Sequence, residues 1–149
     1  MGDNPTGSGE FSFVQLADPQ FRLFARFSGQ TDEQIAAFQA RGLNIKPAPA
    51  TTGFTEETRL FEKVINTANT RRPAFVVVCG DIVNQWDDDA QSEEALRIGA
   101  LLDDDINLHW VAGNHDVGAD EGHTTPTDES LARYRSKFGP DNYAFQHGD

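Results

Sequence analysis

"AFVVVCGDIVN" occupies Ala74–Asn84. Its first six residues are apolar without a break, and Val76, Val77 and Val78 are β-branched. An alternating pattern would mark a strand with one wet face, whereas an unbroken run predicts a strand covered on both faces, as in parallel sheets. Arg71, Arg72 and Pro73 close whatever precedes it. Gly80 then breaks the run and Asp81 follows at once. Cys79, the single cysteine, reads as a small buried core residue and not as a nucleophile.

Two other segments end in the same way. "FSFVQLA" (11–17) reads as a strand and runs into Asp18, Pro19 and Gln20. "INLHWVAG" (106–113) reads as a strand and runs into Asn114, His115 and Asp116. Helical signals lie between and after them. Thr31 and Gln34 form a capping box for a helix over 31–42, with Gly42 as its stop. "NIKPAPATTG" (44–53) holds two prolines and predicts a loop. Thr55 is expected to cap a second helix, with Leu60, Phe61, Val64, Ile65 and Ala68 on one face. Ser92 is expected to cap a third that runs through Leu96, Leu101 and Leu102, with Glu93 and Glu94 in its first turn. Thr127 caps a fourth, whose Leu131, Tyr134 and Phe138 share a face and which Gly139 and Pro140 end. "YAFQHG" (143–148) predicts a last strand. Such alternation argues an α/β fold with a largely parallel sheet.

In a parallel sheet the carboxyl ends of the strands share one edge, and ligands bind outside it. Asp18, Asp81, Asn114, His115 and Asp116 are therefore expected to converge. Gly80 and Gly113 permit sharp turns just before a polar side chain must project. Pro19 is expected to hold Asp18 extended, so that its carboxylate continues the strand direction. Carboxylates packed together raise one another's pKa, and a bound cation removes that cost. Mixed oxygen and nitrogen donors suit Mn, Fe, Zn or Mg. The runs Asp87–Asp89 and Asp103–Asp105 read as solvated linkers.

Composition bounds the rest. With 149 residues the chain suits one domain, and its formal net charge of −12 repels nucleic acid and anionic lipid while favouring divalent cations. No apolar stretch approaches the ~20 residues of a membrane span. Residues 1–10 are polar, rich in Gly and Pro, and expected to be a disordered leader. They lack the features of a signal peptide, and the match of Gly2 and Thr6 to a myristoylation pattern reads as chance. A lone cysteine fits a reducing compartment, hence a cytoplasmic setting. No Gly-rich dinucleotide fingerprint, P-loop or EF-hand spacing is present.

"ADPQ", "GDIVN" and "GNHD", in that order, resemble the calcineurin-like metallophosphoesterase superfamily from Phe11 to the end of the chain. The form "ADPQF" is similar to a serine/threonine-phosphatase subgroup of it. The resemblance implies a layered αββα sandwich, of which residues 11–149 supply mainly the first sheet and its helices, as the N-terminal portion of a longer enzyme or as a reduced relative. It implies two divalent metal ions, held by Asp18 and Gln20 on one side and by Asn114 on the other, with Asp81 bridging. It implies His115 as the catalytic histidine that protonates the leaving oxygen, and Asn84 and Asp116 as supports behind these groups. Two metals about 3.5–4 Å apart clamp a phosphoryl group and generate hydroxide near neutral pH. The expected substrate is a phosphorylated small molecule or phosphoprotein, cleaved as a phosphomonoester. The chain departs from the family pattern at Gln20, where most members have histidine, at Asn84, where phosphoprotein phosphatases have aspartate, and at Gln85, where they have arginine. The family's Gly-His-x-His element is missing, and His109, His123 and His147 lack its context. The competing expectation is a non-catalytic metal-binding or interaction module.

Overall fold

The computed structural model describes residues 10–119 and 125–148. The expected leader falls almost wholly outside these residues, as does His123. The elements are β1 (Val14–Ala17), α1 (Leu23–Phe27), α2 (Asp32–Ala40), α3 (Thr55–Arg71), β2 (Phe75–Cys79), α4 (Asp89–Gly99), β3 (Asn107–Val111), a 3₁₀ turn (His115–Val117) and α5 (Asp128–Phe138). The strands form a three-stranded sheet in the order β1-β2-β3. Both pairings are parallel, and Ala17, Cys79 and Val111 stand side by side in register. The α/β expectation is thus met, and the three strand ends are level.

One face of the sheet carries the core. Val76 and Val78 are buried on β2, flanked by Val14 and Leu16 on β1 and by Leu108 and Trp110 on β3. Phe61, Ile65 and Ala68 of α3, Ala95 and Ile98 of α4, and Tyr134 of α5 pack onto them. The unbroken apolar run of β2 predicted cover on both faces, but burial alternates along it: Phe75, Val77 and Cys79 are half-buried. The buried apolar residues of α3, α4 and α5 join Val76 and Val78 in the core of the first face. Aromatic side chains cover part of the second face. Phe13 stacks on Phe75 at 5.1 Å, and Phe145 lies over His109 at 3.8 Å with the rings nearly parallel. Residues 143–148 are therefore not a strand. Their rings pack on the sheet face, and Tyr143 bonds His109 Nδ1 through its hydroxyl at 3.1 Å.

Two helix starts follow the expected capping residues. The capping boxes of Thr31 with Gln34 and of Thr127 with Ser130 both form. Two other starts are corrected. Phe54, not Thr55, precedes α3, anchored by its edge-to-face contact with Phe21. Asp88, not Ser92, caps α4, because its carboxylate accepts the Ala90 N–H at 3.0 Å. Ser92 lies buried within that helix. The helix ends at Gly99, leaving Leu101 exposed and Leu102 buried beyond it. Leu60, expected on the core face of α3, is also exposed. The run 87–89 is thus partly structural: Asp89 holds Arg133 at 2.7 Å and Lys137 at 2.9 Å, tying α4 to α5. Arg72 likewise pairs with both Asp103 and Asp105. The five-residue α1 has no sequence cap signal; Glu57 of α3 fastens it by accepting the Phe24 N–H at 2.7 Å.

Candidate metal edge

The segments after β1 and β2 run together beyond the sheet. Asp18 N–H points at the carbonyls of Cys79 and Gly80, Gln20 N–H donates to Asp81 C=O at 2.8 Å, and Phe21 N–H donates to Ile82 C=O at 3.1 Å. Phe21, Ile82 and Val83 are fully buried and anchor this zipper. Asp18, Gln20 and Asp81 take left-handed φ values of 51°, 33° and 39°. Such values are uncommon away from glycine and concentrate at functional sites. Asp18 is therefore not extended, as the following proline predicted. The main-chain pairing to β2 outweighs the local preference and turns its carboxylate aside.

The third segment closes on the second. A Cβ placed on Gly113 would lie 2.1 Å from Asp81 N and 2.2 Å from Asp81 Oδ1. One placed on Gly80 would lie 3.3 Å from Gly113 Cα and 4.0 Å from Asp18 Oδ1. Glycine at 113 is thus required for close approach, and glycine at 80 also supplies a φ of 68°. Asp18, Asp81 and Asn114 accordingly leave one edge from adjacent strands, with Asp18 and Asn114 exposed and Asp81 partly buried.

His115 is held twice. Its main-chain N–H donates to Asp81 Oδ1 at 3.1 Å, and its ring Nδ1 lies 3.0 Å from the carbonyl oxygen of Asn84. A carbonyl only accepts, so this contact puts the proton on Nδ1 and leaves Nε2 for chemistry. Asp116 is buried, and its two oxygens accept the N–H groups of Val83 at 2.9 Å and Gly113 at 2.8 Å. It clips the β2 and β3 exits together. Burial pushes its carboxyl up to about 6, against the backbone N–H groups of Gly113, Val83 and Ile82, which favour the charged form.

The chain matches the Calcineurin-like phosphoesterase family over residues 11–148. It belongs to that family. It is 32% identical over 148 residues to "Serine/threonine-protein phosphatase CPPED1" of Bos taurus, covering 94% of this chain and 40% of that one. The protein of the same name from Homo sapiens is 30% identical over 148 residues, with the same coverage of 94% and 40%. The chain thus spans about 40% of the length of these relatives. A solved structure described as a dimetal phosphatase from Danio rerio aligns at 22% identity and a TM-score of 0.44, over 72% of this chain and 30% of that one.

Within this family member, Gln20 is buried and its Nε2 donates to Asn84 Oδ1 at 3.4 Å. Its Oε1, the atom a cation would need, accepts no hydrogen bond among the described residues. Asn84 meets His115 through its main chain, while its side chain serves Gln20. His109 and His147 lie away from the edge. His109 sits mid-strand on the open sheet face, where burial lowers its pKa, and His147 packs on Phe11 and on Phe75 at the opposite end of β2. Among the described residues no three His, Cys, Asp or Glu side chains are grouped closely enough to hold a metal ion.

One positioning residue carries no motif. Gln91 of α4 is fully buried, and its Oε1 accepts the N–H groups of Asn84 at 2.7 Å and Gln85 at 3.1 Å. Its Nε2 donates to Asp88 at 2.9 Å. It thereby fixes the carbonyl that holds His115. Nothing in its sequence neighbourhood marks this role, since it looks like any polar residue in a helix. Gln91→Leu is expected to destabilise the chain by about 1–3 kcal/mol through unpaired N–H groups. It is also expected to shift the His115 ring resonances. Urea midpoints and histidine NMR check this; an unchanged His115 signal would refute the positioning role.

Proposed function

We propose that the edge formed by Asp18, Asp81, Asn114 and His115 belongs to a metal-dependent phosphomonoesterase acting on a phosphorylated small molecule or phosphoprotein, in a cytoplasmic setting. The observation that carries this reading is the double hold on His115, through Asp81 Oδ1 and the Asn84 carbonyl. Membership of the family and relatives bearing the name serine/threonine-protein phosphatase support it.

The residues fit hard divalent cations. Two carboxylates and the amide oxygens of Asn114 and Gln20 form an oxygen-rich donor set, which favours Mg or Mn over Zn. Asp18 and Gln20 would hold one ion, Asn114 a second, and Asp81 both. Bound cations supply charge neutralisation for the phosphoryl group and lower the pKa of water. This chain's own contribution is orientation and proton transfer. With Nδ1–H donated to Asn84, a protonated His115 delivers its Nε2 proton to the leaving oxygen. Asp116 keeps the Gly113 and Val83 main chain in place, so that Asn114 and His115 leave the sheet on the right side.

A second reading, a non-catalytic metal-binding or interaction module, is favoured by Gln20 and Asn84, two departures from the family pattern, whose buried side chains bond each other. Hydrolysis of p-nitrophenyl phosphate by the Mn-loaded chain, compared with the chelated chain, separates the two. Metal-dependent turnover supports the enzyme. Tight Mn binding without turnover supports the module.

Gln20→His tests the donor set. Imidazole is a softer donor than an amide oxygen, so Zn affinity is expected to rise about 10-fold or more relative to Mn. Competition titration with a chelating dye measures the ratio, and an unchanged ratio removes Gln20 from the set.

A further inference from the structure

A cavity of about 600 Å³ opens beside the metal edge, lined by Arg22, Arg26, Thr51, Thr52, Asn84 and Gln85 among others. No acidic side chain lines it, which stands out in a chain of net charge −12. Its walls are fastened on three sides. Asp88 holds Arg22 at 3.2 Å while also capping α4. Ser28 Oγ accepts the Thr51 N–H at 3.0 Å and donates to Ala25 C=O at 3.0 Å, tying the 44–53 loop to the end of α1. Gln91 fixes Asn84 and Gln85. The Arg26 guanidinium lies 5.7 Å from the centre of the Phe27 ring and pairs with no carboxylate among the described residues.

Position decides what such a cavity would take. Asn84 is shared: its main chain holds His115, and the same residue forms part of the cavity wall. Asp18, Asp81 and Asn114 do not line it. The cavity therefore sits next to the reacting position and is separate from it. Gln85, which stands where phosphoprotein phosphatases have arginine, offers no cation, whereas Arg22, held by Asp88, and Arg26 line the same space. Guanidinium recognises carboxylate and phosphate through paired N–H donors, and the Thr51 and Thr52 hydroxyls add neutral donors.

We propose that the Arg22/Arg26 cavity binds a second anionic group of the substrate, a carboxylate or phosphate adjacent to the phosphorylated residue, and so selects acidic or multiply phosphorylated peptides. This rests on the phosphoesterase reading for the first phosphate, but the cavity's own anion preference can be measured without turnover.

The test uses fluorescence anisotropy with the Mn-loaded chain and three phosphoserine peptides that differ in the flanking residue: glutamate, a second phosphoserine, or alanine. The two anionic peptides, or one of them, are expected to bind roughly 10-fold tighter than the alanine peptide, the scale of one charge-assisted contact. Arg26→Gln is expected to abolish the difference and Arg26→Lys to retain part of it. A preference for glutamate alone identifies a carboxylate site, and a preference for phosphoserine alone a phosphate site. Equal affinity for all three peptides overturns the proposal, as does a preference that survives in Arg22→Gln/Arg26→Gln. p-Nitrophenyl phosphate, which has no second anion, is assayed in parallel. Failure of its hydrolysis with the peptide preference intact overturns the enzyme reading and leaves the cavity assignment standing.

Discussion

Gly113→Ala is expected to lower the melting temperature by about 6–12 °C and to abolish the Mn binding proposed for this edge. The new Cβ would lie 2.1 Å from Asp81 N, 2.2 Å from Asp81 Oδ1 and 2.9 Å from the Gly80 carbonyl carbon. Two of these atoms are main chain, so no change of rotamer relieves the clash. The Asp81 and Gly80 backbone cannot retreat freely either, because Gly80 N–H is bonded to Val111 C=O at 2.9 Å and Asp81 C=O to Gln20 N–H at 2.8 Å. Overpacking with side-chain relief costs about 1–3 kcal/mol. Here the cost lies at or above the top of that range, and each kcal/mol moves a chain of this size by about 2–4 °C. Pushing β3's exit away from β2's also separates His115 N–H from Asp81 Oδ1, a contact now at 3.1 Å. Differential scanning calorimetry and a Mn titration measure both effects. A melting temperature within about 2 °C of the parent would mean that the edge is open, and the geometry argued for it wrong.

Asp81→Asn is expected to separate metal binding from folding. Asparagine keeps an oxygen for the His115 N–H and nearly the same shape, so the melting temperature should move by only about 2 °C. The charge is lost, however, at the position proposed to serve both cations. Loss of a group behind a metal ligand already costs about 10–100-fold in affinity or activity. Loss of a direct carboxylate donor is expected to cost at least about 100-fold in Mn affinity, and comparably in phosphatase turnover. Calorimetric titration with Mn on both proteins decides it. Equal affinity would show that Asp81 serves only to hold His115.

The contrast between the two variants reflects how the edge is built. Asp81 supplies charge on a frame that other residues maintain: Phe21, Ile82 and Val83 buried beneath it, and Asp116 and Gln91 clamping the exits. Gly113 is part of the frame itself. Arg133 reinforces the same region, donating to the Trp86 and Asp87 carbonyls at 3.0 and 3.1 Å.

Local chemistry made much of this legible in advance. The segments 74–80 and 106–113 read as short strands, and the acids and amides after them could only meet if those strands were parallel. Thr31 and Thr127 announced their helices because a cap is made within three residues. Such features depend on neighbours along the chain, so the sequence alone determined them, together with the set of groups that gather at the carboxyl edge. Tertiary contact decided everything that depends on partners dozens of residues away. It turned Asp18 out of the conformation its proline prefers, paired Gln20 with Asn84, and set His115 on a main-chain carbonyl instead of a side chain. It set the Asp88 carboxylate, whose cap on Ala90 is local, within reach of Arg22, and laid residues 143–147 on the sheet face, where their rings find Phe75 and His109. A main-chain oxygen has no residue signature, and a buried glutamine such as Gln91 looks like any other until the loop it holds is in place.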